Sequence, residues 1–138
     1  MTDSENRALL APRMTETEVN RLSLLALAHI GDGVYELLTR TALCLEGHAA
    51  VHELHRLTVA HVKAGAQAQA VARLLPLLTE QELAVFKRGR NAHVHGVPRG
   101  ASVGDYHAAT GLEALFGWLY LLGRSERLEE LFAAIWKE

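Results

Sequence analysis

Two acidic residues stand out in this chain because their neighbours offer them no local partner. Asp32 and Glu113 lie within residues 28–37 and 109–117, and small and apolar residues flank both at helical spacing. An unpaired buried carboxylate is costly, so buried charges in proteins are normally paired or bind metal ions. If the two segments are helices that pack together, both carboxylates can bind one divalent cation such as Mg2+. We therefore predict a metal site formed by Asp32 and Glu113.

Glu36 has two interpretations. It stands four residues after Asp32, so both side chains lie on one face of a helix, and Glu36 could be a further ligand. It can equally pair with Arg40, four residues later, in the favourable orientation for an exposed helical ion pair. Glu113 has no basic residue within four positions, so the same explanation does not apply to it.

A zinc site is a further alternative. Four histidines fall on or near one face of a later predicted helix, and histidines spaced i, i+4 can bind Zn2+. They are His48, His52, His55 and His61. Glu53 lies in a His-Glu-Leu-His sequence that differs from the zinc signature His-Glu-x-x-His, which disfavours this alternative.

The composition is that of one ordinary globular domain. The chain has 138 residues, of which 49% are hydrophobic and 22% charged. The single cysteine, Cys44, excludes a disulfide within a monomer, and its apolar helical surroundings predict that it packs in the core. Neither a secretory signal nor an apolar stretch of membrane-spanning length is recognisable. We expect a cytoplasmic protein without a membrane partner.

The charge is unevenly distributed along the chain. The net charge is −2, yet residues 54–104 hold seven Lys/Arg and two acids, and residues 83–104 hold no acid at all. The basic residues and histidines of that interval are Lys87, Arg88, Arg90, His93, His95 and Arg99. Such a cluster is typical of a phosphate-binding surface. Alternatively, these cations only complement the dipole at a helix end.

Helical periodicity predicts an all-α fold of about five main helices. The first covers residues 17–45 as one helix or two nearly continuous ones, with Gly31 and Gly33 permitting close approach of a neighbouring element. The others cover about residues 49–75, 80–90, 106–122 and 125 onward, and a capping box at Thr79 opens the third. We expect residues 91–104 to form a long loop, residues 1–16 a flexible arm, and residues 17–138 the folded domain.

Three motifs in this order resemble the Mini-III branch of the ribonuclease III family. They are residues 27–37 around Gly31-Asp32, the run 87–92 (Lys-Arg-Gly-Arg-Asn-Ala), and residues 106–117 around Glu113. The resemblance covers residues 24–122 and implies an all-α endonuclease domain, active as a homodimer, that cuts double-stranded RNA with Mg2+, for which Mn2+ can substitute. The signature aspartate and the late glutamate of the family map to Asp32 and Glu113, which makes both catalytic.

Longer ribonuclease III enzymes carry two further carboxylates where this chain has Ala28 and Thr110. The Mini-III branch is similar to this chain in both respects, so waters or RNA oxygens must complete more of the metal shell. The resemblance also implies products with 5′-phosphate and 3′-hydroxyl ends, precursor ribosomal RNA of the large subunit as substrate, and ribosomal proteins as further partners. The expected RNA contacts are Lys87, Arg88, Arg90, Asn91, His93, His95 and Arg99.

Two other functions remain open at this point. A non-catalytic relative could use the same fold to bind structured RNA or ribosomes, because a fold does not fix a function. A purely structural helical dimerisation module is the second alternative. The retained Asp32 and Glu113 disfavour the first, and the basic middle of the chain disfavours the second.

Overall fold

A computed structural model describes residues 8–92, 96 and 102–136, and regular structure in these residues is helical throughout. Within the described residues seven α-helices follow one another: α1 (Glu16–Asn20), α2 (Leu24–Leu45), α3 (Val51–Val62), α4 (Ala64–Leu74), α5 (Glu80–Arg90), α6 (Val103–Leu121) and α7 (Ser125–Trp136). A short 3-10 turn, Leu75–Leu77, connects α4 to α5. None of the described helices combines the length and apolarity needed to cross a bilayer. The all-α prediction is confirmed.

Helix α6 is the centre of the fold. Helices α2, α4 and α5 pack around it, and α7 closes one end. Its apolar side chains are almost completely excluded from solvent, namely Leu112, Leu115, Phe116, Trp118 and Leu119. Burying a large apolar side chain stabilises a fold by about 1.5–3 kcal/mol. Much of the stabilising free energy is therefore concentrated on the helix that carries Glu113.

Glycines let α2 and α6 cross in direct backbone contact. A Cβ atom at Gly31 would lie 1.6 Å from the carbonyl oxygen of Glu113, and one at Gly117 would lie 2.0 Å from the carbonyl oxygen of Leu27. Real Cβ atoms do not approach other atoms so closely, so both positions require glycine. The sequence-based expectation of a close approach at Gly31 is confirmed. Gly33, by contrast, has open space around it.

A second glycine pair brings α5 against α6. A Cβ atom at Gly89 would lie 2.6 Å from the Cβ atom of Ala114, and one at Gly111 would lie 2.8 Å from the carbonyl oxygen of Phe86. Helix α5 therefore meets α6 beside the turn that contains Glu113.

The predicted start of α5 is confirmed, because Thr79 and Glu82 form the capping box.

The predicted helix over residues 49–75 is wrong in one respect, since it is broken at Lys63. Lys63 adopts an extended conformation with ψ 154° and separates α3 from α4. A side-chain cap is lacking at the start of α4, but the Asp105 carboxylate from α6 lies 3.7 Å from the Cβ position of Gly65 in its first turn. An anion at a helix N-terminus is stabilising. A carboxylate from a distant helix thus lies close to the start of α4 after the break.

Two further expectations concern α2 and the N-terminal arm. Cys44 is exposed rather than packed in the core, because the buried stripe of α2 runs along Gly31, Tyr35, Thr39 and Leu43 at four-residue steps. Part of the predicted arm contacts the helices, since the backbone N–H of Met14 donates to the carbonyl of Leu121 at 2.9 Å. The division of the chain at residue 16 stays a prediction.

The glycine crossing yields a matched pair of substitutions on one helix. We expect Gly31→Ala to destabilise the protein by about 1–3 kcal/mol or more, because the added methyl group meets the α6 backbone. Gly33→Ala should instead stabilise it by about 0.5–1 kcal/mol, since alanine is the better helix former and the site is open. Denaturant unfolding of both variants measures the difference. Equal stabilities would contradict the crossing.

Candidate active site

The α2–α6 crossing brings the two predicted acidic residues together. Asp32 directly follows Gly31, and Gly31 lies against the backbone of Glu113. The two side chains interact, and a protonated Glu113 carboxyl donates a hydrogen bond to Asp32. Asp32 is exposed whereas Glu113 is largely buried. The pair therefore forms a site that opens to solvent on the Asp32 side.

Burial raises the pKa of Glu113, and the negative charge of Asp32 raises it as well. Together they bring it to about 8. The amide of Gln67, which faces Glu113 from α4, opposes this rise by favouring the ionised carboxylate. Two adjacent carboxylates repel each other when both are ionised. A divalent cation between them would remove that repulsion, so the oxygen donors of this site suit Mg2+.

A shallow surface groove of about 360 Å³ leads to the site. It is lined by Asp32, Gly33, Glu36, Leu37 and Arg40. All five residues belong to α2, so the groove follows one face of that helix next to the carboxylate pair. A polar substrate can reach Asp32 from this side without rearrangement of the core.

The two residues considered as additional ligands have other partners. The Glu36 carboxylate lies 2.6 Å from the guanidinium of Arg40, which is the ion pair that the sequence offers as an alternative. The hydroxyl of Thr110 donates to the carbonyl of Tyr106 at 3.0 Å, within α6. Asp32 and Glu113 are therefore the two carboxylates that this arrangement leaves for a cation.

The histidines of the predicted zinc alternative are dispersed. His48 pairs with Glu53 at 3.0 Å, whereas the ring of His61 stacks on Trp136 with 4.4 Å between centroids. No cluster of three or more His, Cys, Asp or Glu side chains suited to a metal ion occurs in the described parts of the chain. The structure therefore gives the zinc alternative no support.

The basic residues predicted to contact RNA divide into two groups. Lys87 and Arg88 are exposed in the last turn of α5, while the Arg90 guanidinium lies over the Phe86 ring, 5.7 Å from its centroid, and donates to the Asn91 side chain. They flank Gly89, which contacts α6 at the level of Glu113. The basic end of α5 therefore packs on the same stretch of α6 that carries Glu113. The other predicted contacts, His93, His95 and Arg99, lie outside the described residues.

Sequence reasoning missed one polar residue of this site. Gln67 is only 1% exposed, yet its Nε2 atom completes no hydrogen bond to any described residue. It lies in the alanine-rich sequence Ala-Gly-Ala-Gln-Ala-Gln-Ala, where glutamine is typical of an exposed helix face. Helical spacing with Ala70, Val71 and Leu74 is the signal that could have revealed its burial.

Comparison with known proteins agrees with this geometry. Residues 25–124 match the family model of the Ribonuclease III domain. The chain is 48% identical over 110 residues to a Mini-ribonuclease 3 of Symbiobacterium thermophilum, which covers 80% of this chain and 85% of that protein. It is 46% identical over 127 residues to a Mini-ribonuclease 3 of a Thermoanaerobacter species, which covers 92% and 87%. The chain belongs to the ribonuclease III family.

The fold of this ribonuclease III family member also matches a solved structure. An X-ray crystal structure of a protein from Fusobacterium nucleatum superimposes with a TM-score of 0.77 and 30% sequence identity, over 84% of this chain and 94% of the other. The predictions of family, fold class and endoribonuclease are thereby confirmed. The roles of Asp32 and Glu113, and the metal, stay predictions.

The raised pKa of Glu113 has a measurable consequence for the metal-free protein. Glu113 keeps its proton in the fold up to about pH 8 but loses it near pH 4.5 when unfolded. Its contribution to stability is therefore present below pH 4.5 and declines between these values by about 1.4 kcal/mol per pH unit. We expect Glu113→Gln to remove this decline, so that the variant exceeds the wild type increasingly from pH 5 to pH 8.

Chemical denaturation in EDTA at several pH values provides the measurement. Glu36→Gln is the matched control, because Glu36 is a carboxylate on the neighbouring helix that already has Arg40 as partner. Its stability should stay parallel to that of the wild type above pH 5. A Glu113→Gln variant that also stays parallel to the wild type would contradict the burial of Glu113 beside Asp32.

Proposed function

We propose that this protein is a Mg2+-dependent endoribonuclease that hydrolyses double-stranded RNA and leaves 5′-phosphate and 3′-hydroxyl ends. The observation that carries the proposal is the pairing of Asp32 with Glu113, two carboxylates held side by side by a crossing of helices that only glycine permits. Family membership supports the RNA substrate. The exposed basic end of α5, which packs on the helix that carries Glu113, supports a polyanionic one.

The residues of the candidate site would have different roles in such a reaction. Asp32 and Glu113 would hold the cation, with water and RNA oxygens completing its shell. When bound, Mg2+ supplies a water of lowered pKa and a positive charge beside the scissile phosphodiester. Lys87 and Arg88 would neutralise neighbouring phosphates, and Asn91 would add a neutral hydrogen bond. Recognition would rest on helix shape and 2′-hydroxyl groups, because A-form RNA hides its base edges in a deep groove.

Precursor ribosomal RNA of the large subunit is the substrate we propose, on the basis of the Mini-ribonuclease 3 resemblance alone. A duplex taken from that precursor and an unrelated duplex of equal length are the two substrates to compare. Comparable cleavage rates on both duplexes would indicate a general nuclease for double-stranded RNA and argue against a dedicated role in ribosomal RNA maturation.

We further propose that the protein acts as a homodimer whose two sites cut opposite strands of one duplex. The outward face of α2 supports this, because Leu37 is 57% and Leu45 83% exposed and Gly33 lies one turn before Leu37. An exposed apolar stripe of this kind is typical of an interaction surface. A second copy would cover the stripe and complete the groove along α2.

The site assignment is tested by Asp32→Asn and Glu113→Gln, which remove negative charge at nearly constant volume. We expect each to abolish Mg2+-dependent cleavage while the protein stays folded and still binds RNA, because the basic end of α5 is unchanged. Initial rates and thermal melts are the measurements, with Glu36→Gln as the control that retains activity. Turnover near the wild-type rate in either variant would refute the assignment, whereas a wild type that binds duplex RNA without cleaving it would favour the non-catalytic alternative.

The RNA surface is tested by replacing Lys87, Arg88 and Arg90 with alanine in the inactive Asp32→Asn background. For each phosphate that is no longer neutralised, the dependence of log affinity on log salt should flatten by about 0.7–0.9, the range set by counterion release. Binding to unrelated duplexes should weaken equally. Replacing Arg56 and Lys63, exposed on the α3 side, provides the matched control. If the slope changes only in that control, the RNA surface lies on α3.

The dimer is tested by sedimentation at micromolar concentration. We expect about twice the 15.1 kDa chain mass for the wild type. Leu37→Lys should shift the protein to the monomer and reduce cleavage of both strands, because it places a charge in the apolar stripe. Val59→Lys, which changes another exposed apolar residue on α3, should leave the mass unchanged. A fully active monomeric wild type would contradict this proposal.

A further inference from the structure

Gln67 places an unpaired hydrogen-bond donor in the core. Its side chain lies on the buried face of α4 with Ala70, Val71 and Leu74, and it is among the least exposed in the protein. Its Nε2 group nevertheless has no hydrogen-bond partner among the described residues. A buried donor without an acceptor destabilises a protein by about 1–3 kcal/mol. Packing alone would favour an apolar residue of the same length.

The neighbour that Gln67 faces is the Glu113 carboxylate. Helix α4 packs on α6, and Gln67 is close enough to Glu113 to favour its ionised form. A carboxylate that binds a cation through one oxygen still has lone pairs on the other. A side-chain amide can donate to those lone pairs, and hydrogen bonds to charged acceptors are about twice as strong as neutral ones.

A neutral amide suits this position better than a charged group. A lysine at the same place would neutralise Glu113 and compete with a cation for it, whereas a glutamine fixes the carboxylate and leaves its charge available. Ligating carboxylates in metalloproteins are commonly oriented by such outer hydrogen bonds. Two other polar side chains considered for the site are engaged elsewhere, since Thr110 donates to Tyr106 and Glu36 binds Arg40.

We propose that Gln67 is a positioning residue for the site, whose buried amide donates to Glu113 and holds this carboxylate in the orientation that binds the divalent cation. The inference rests on the proposed Mg2+ site and deepens it, because it adds a third helix, α4, to the elements that shape the site. Gln67 does not touch the substrate. Its effect passes through Glu113.

Metal binding to the substrate-free protein tests this role directly. The probe is Mn2+ alone, followed by its electron paramagnetic resonance signal and displaced by Mg2+. We expect Gln67→Met, which keeps the length of the side chain and removes the donor, to bind both ions about tenfold more weakly or worse. Its melting temperature in EDTA should equal or exceed that of the wild type, because an unpaired polar group leaves the core. A merely structural glutamine would not combine these two results.

Gln69→Met is the matched control, since Gln69 is the same residue type on the same helix and is exposed. It should bind Mn2+ as the wild type does. Gln67→Asn, which keeps the amide but shortens its reach, should weaken Mn2+ binding as well and serves if the methionine variant does not fold. Cleavage by Gln67→Met should recover at high Mg2+, because the lost property is affinity for the ion.

The outcomes separate this inference from the proposed function. If the wild type and Gln67→Met bind Mn2+ equally, the positioning role is refuted while the site at Asp32 and Glu113 stands. If the wild type binds no Mn2+ or Mg2+, or if Asp32→Asn binds as the wild type does, the proposed site is refuted and the inference with it. Weakened binding by Gln69→Met to the same extent would also overturn it.

Discussion

The backbone contact between α2 and α6 is the constraint on which the site depends. Helices normally pack with their axes 8–10 Å apart because side chains lie between them. Here Gly31 and Gly117 remove the side chains at the crossing, and a Cβ atom at either glycine would overlap a backbone carbonyl. Asp32 follows one of these glycines, and Glu113 supplies the carbonyl that the other helix contacts. The residues that allow the approach therefore also set the register of the two carboxylates.

Two groups of the candidate site lower the stability of the fold that contains them. A buried Glu113 beside Asp32 and an unpaired Gln67 amide are each unfavourable in the metal-free protein. The apolar surface around them compensates, since α6 carries Leu112, Leu115, Phe116, Trp118 and Leu119 in the core. The Arg127 guanidinium adds to this by binding the buried Glu82 carboxylate through two hydrogen bonds of 2.8 Å, which link α7 to α5. Unfavourable groups concentrated at one place in a well-packed protein indicate a functional site.

Features that depend on residues close together in the sequence were predictable, whereas features that depend on tertiary packing were not. The start of α5 was predictable, because Thr79 and Glu82 are a complete capping signal within four residues. Asp32 and Glu113 were identifiable because neither has a convincing local partner, and the structure brings them together. The break at Lys63 was not predictable, since the Asp105 carboxylate near the start of α4 comes from another helix. Gln67 was missed because glutamine in an alanine-rich helix is typical of an exposed face, although its helical spacing with Ala70, Val71 and Leu74 indicates burial.

The position of the basic residues connects the two halves of the proposed site. Lys87 and Arg88 stand in the last turn of α5, where cations complement the helix dipole. That explanation and a role in RNA binding are compatible, because Gly89 fixes the same turn beside Thr110 and Ala114 of α6. Two ionised carboxylates alone would repel a phosphodiester, and the positive charges on α5 only partly offset this at the effective dielectric constant of a protein surface. A divalent cation bound to the ionised Asp32 and Glu113 would neutralise their charge and remove this repulsion. With the proposed cation in place, a duplex approaching the basic end of α5 would meet less opposing charge, so metal binding and RNA binding would be electrostatically coupled.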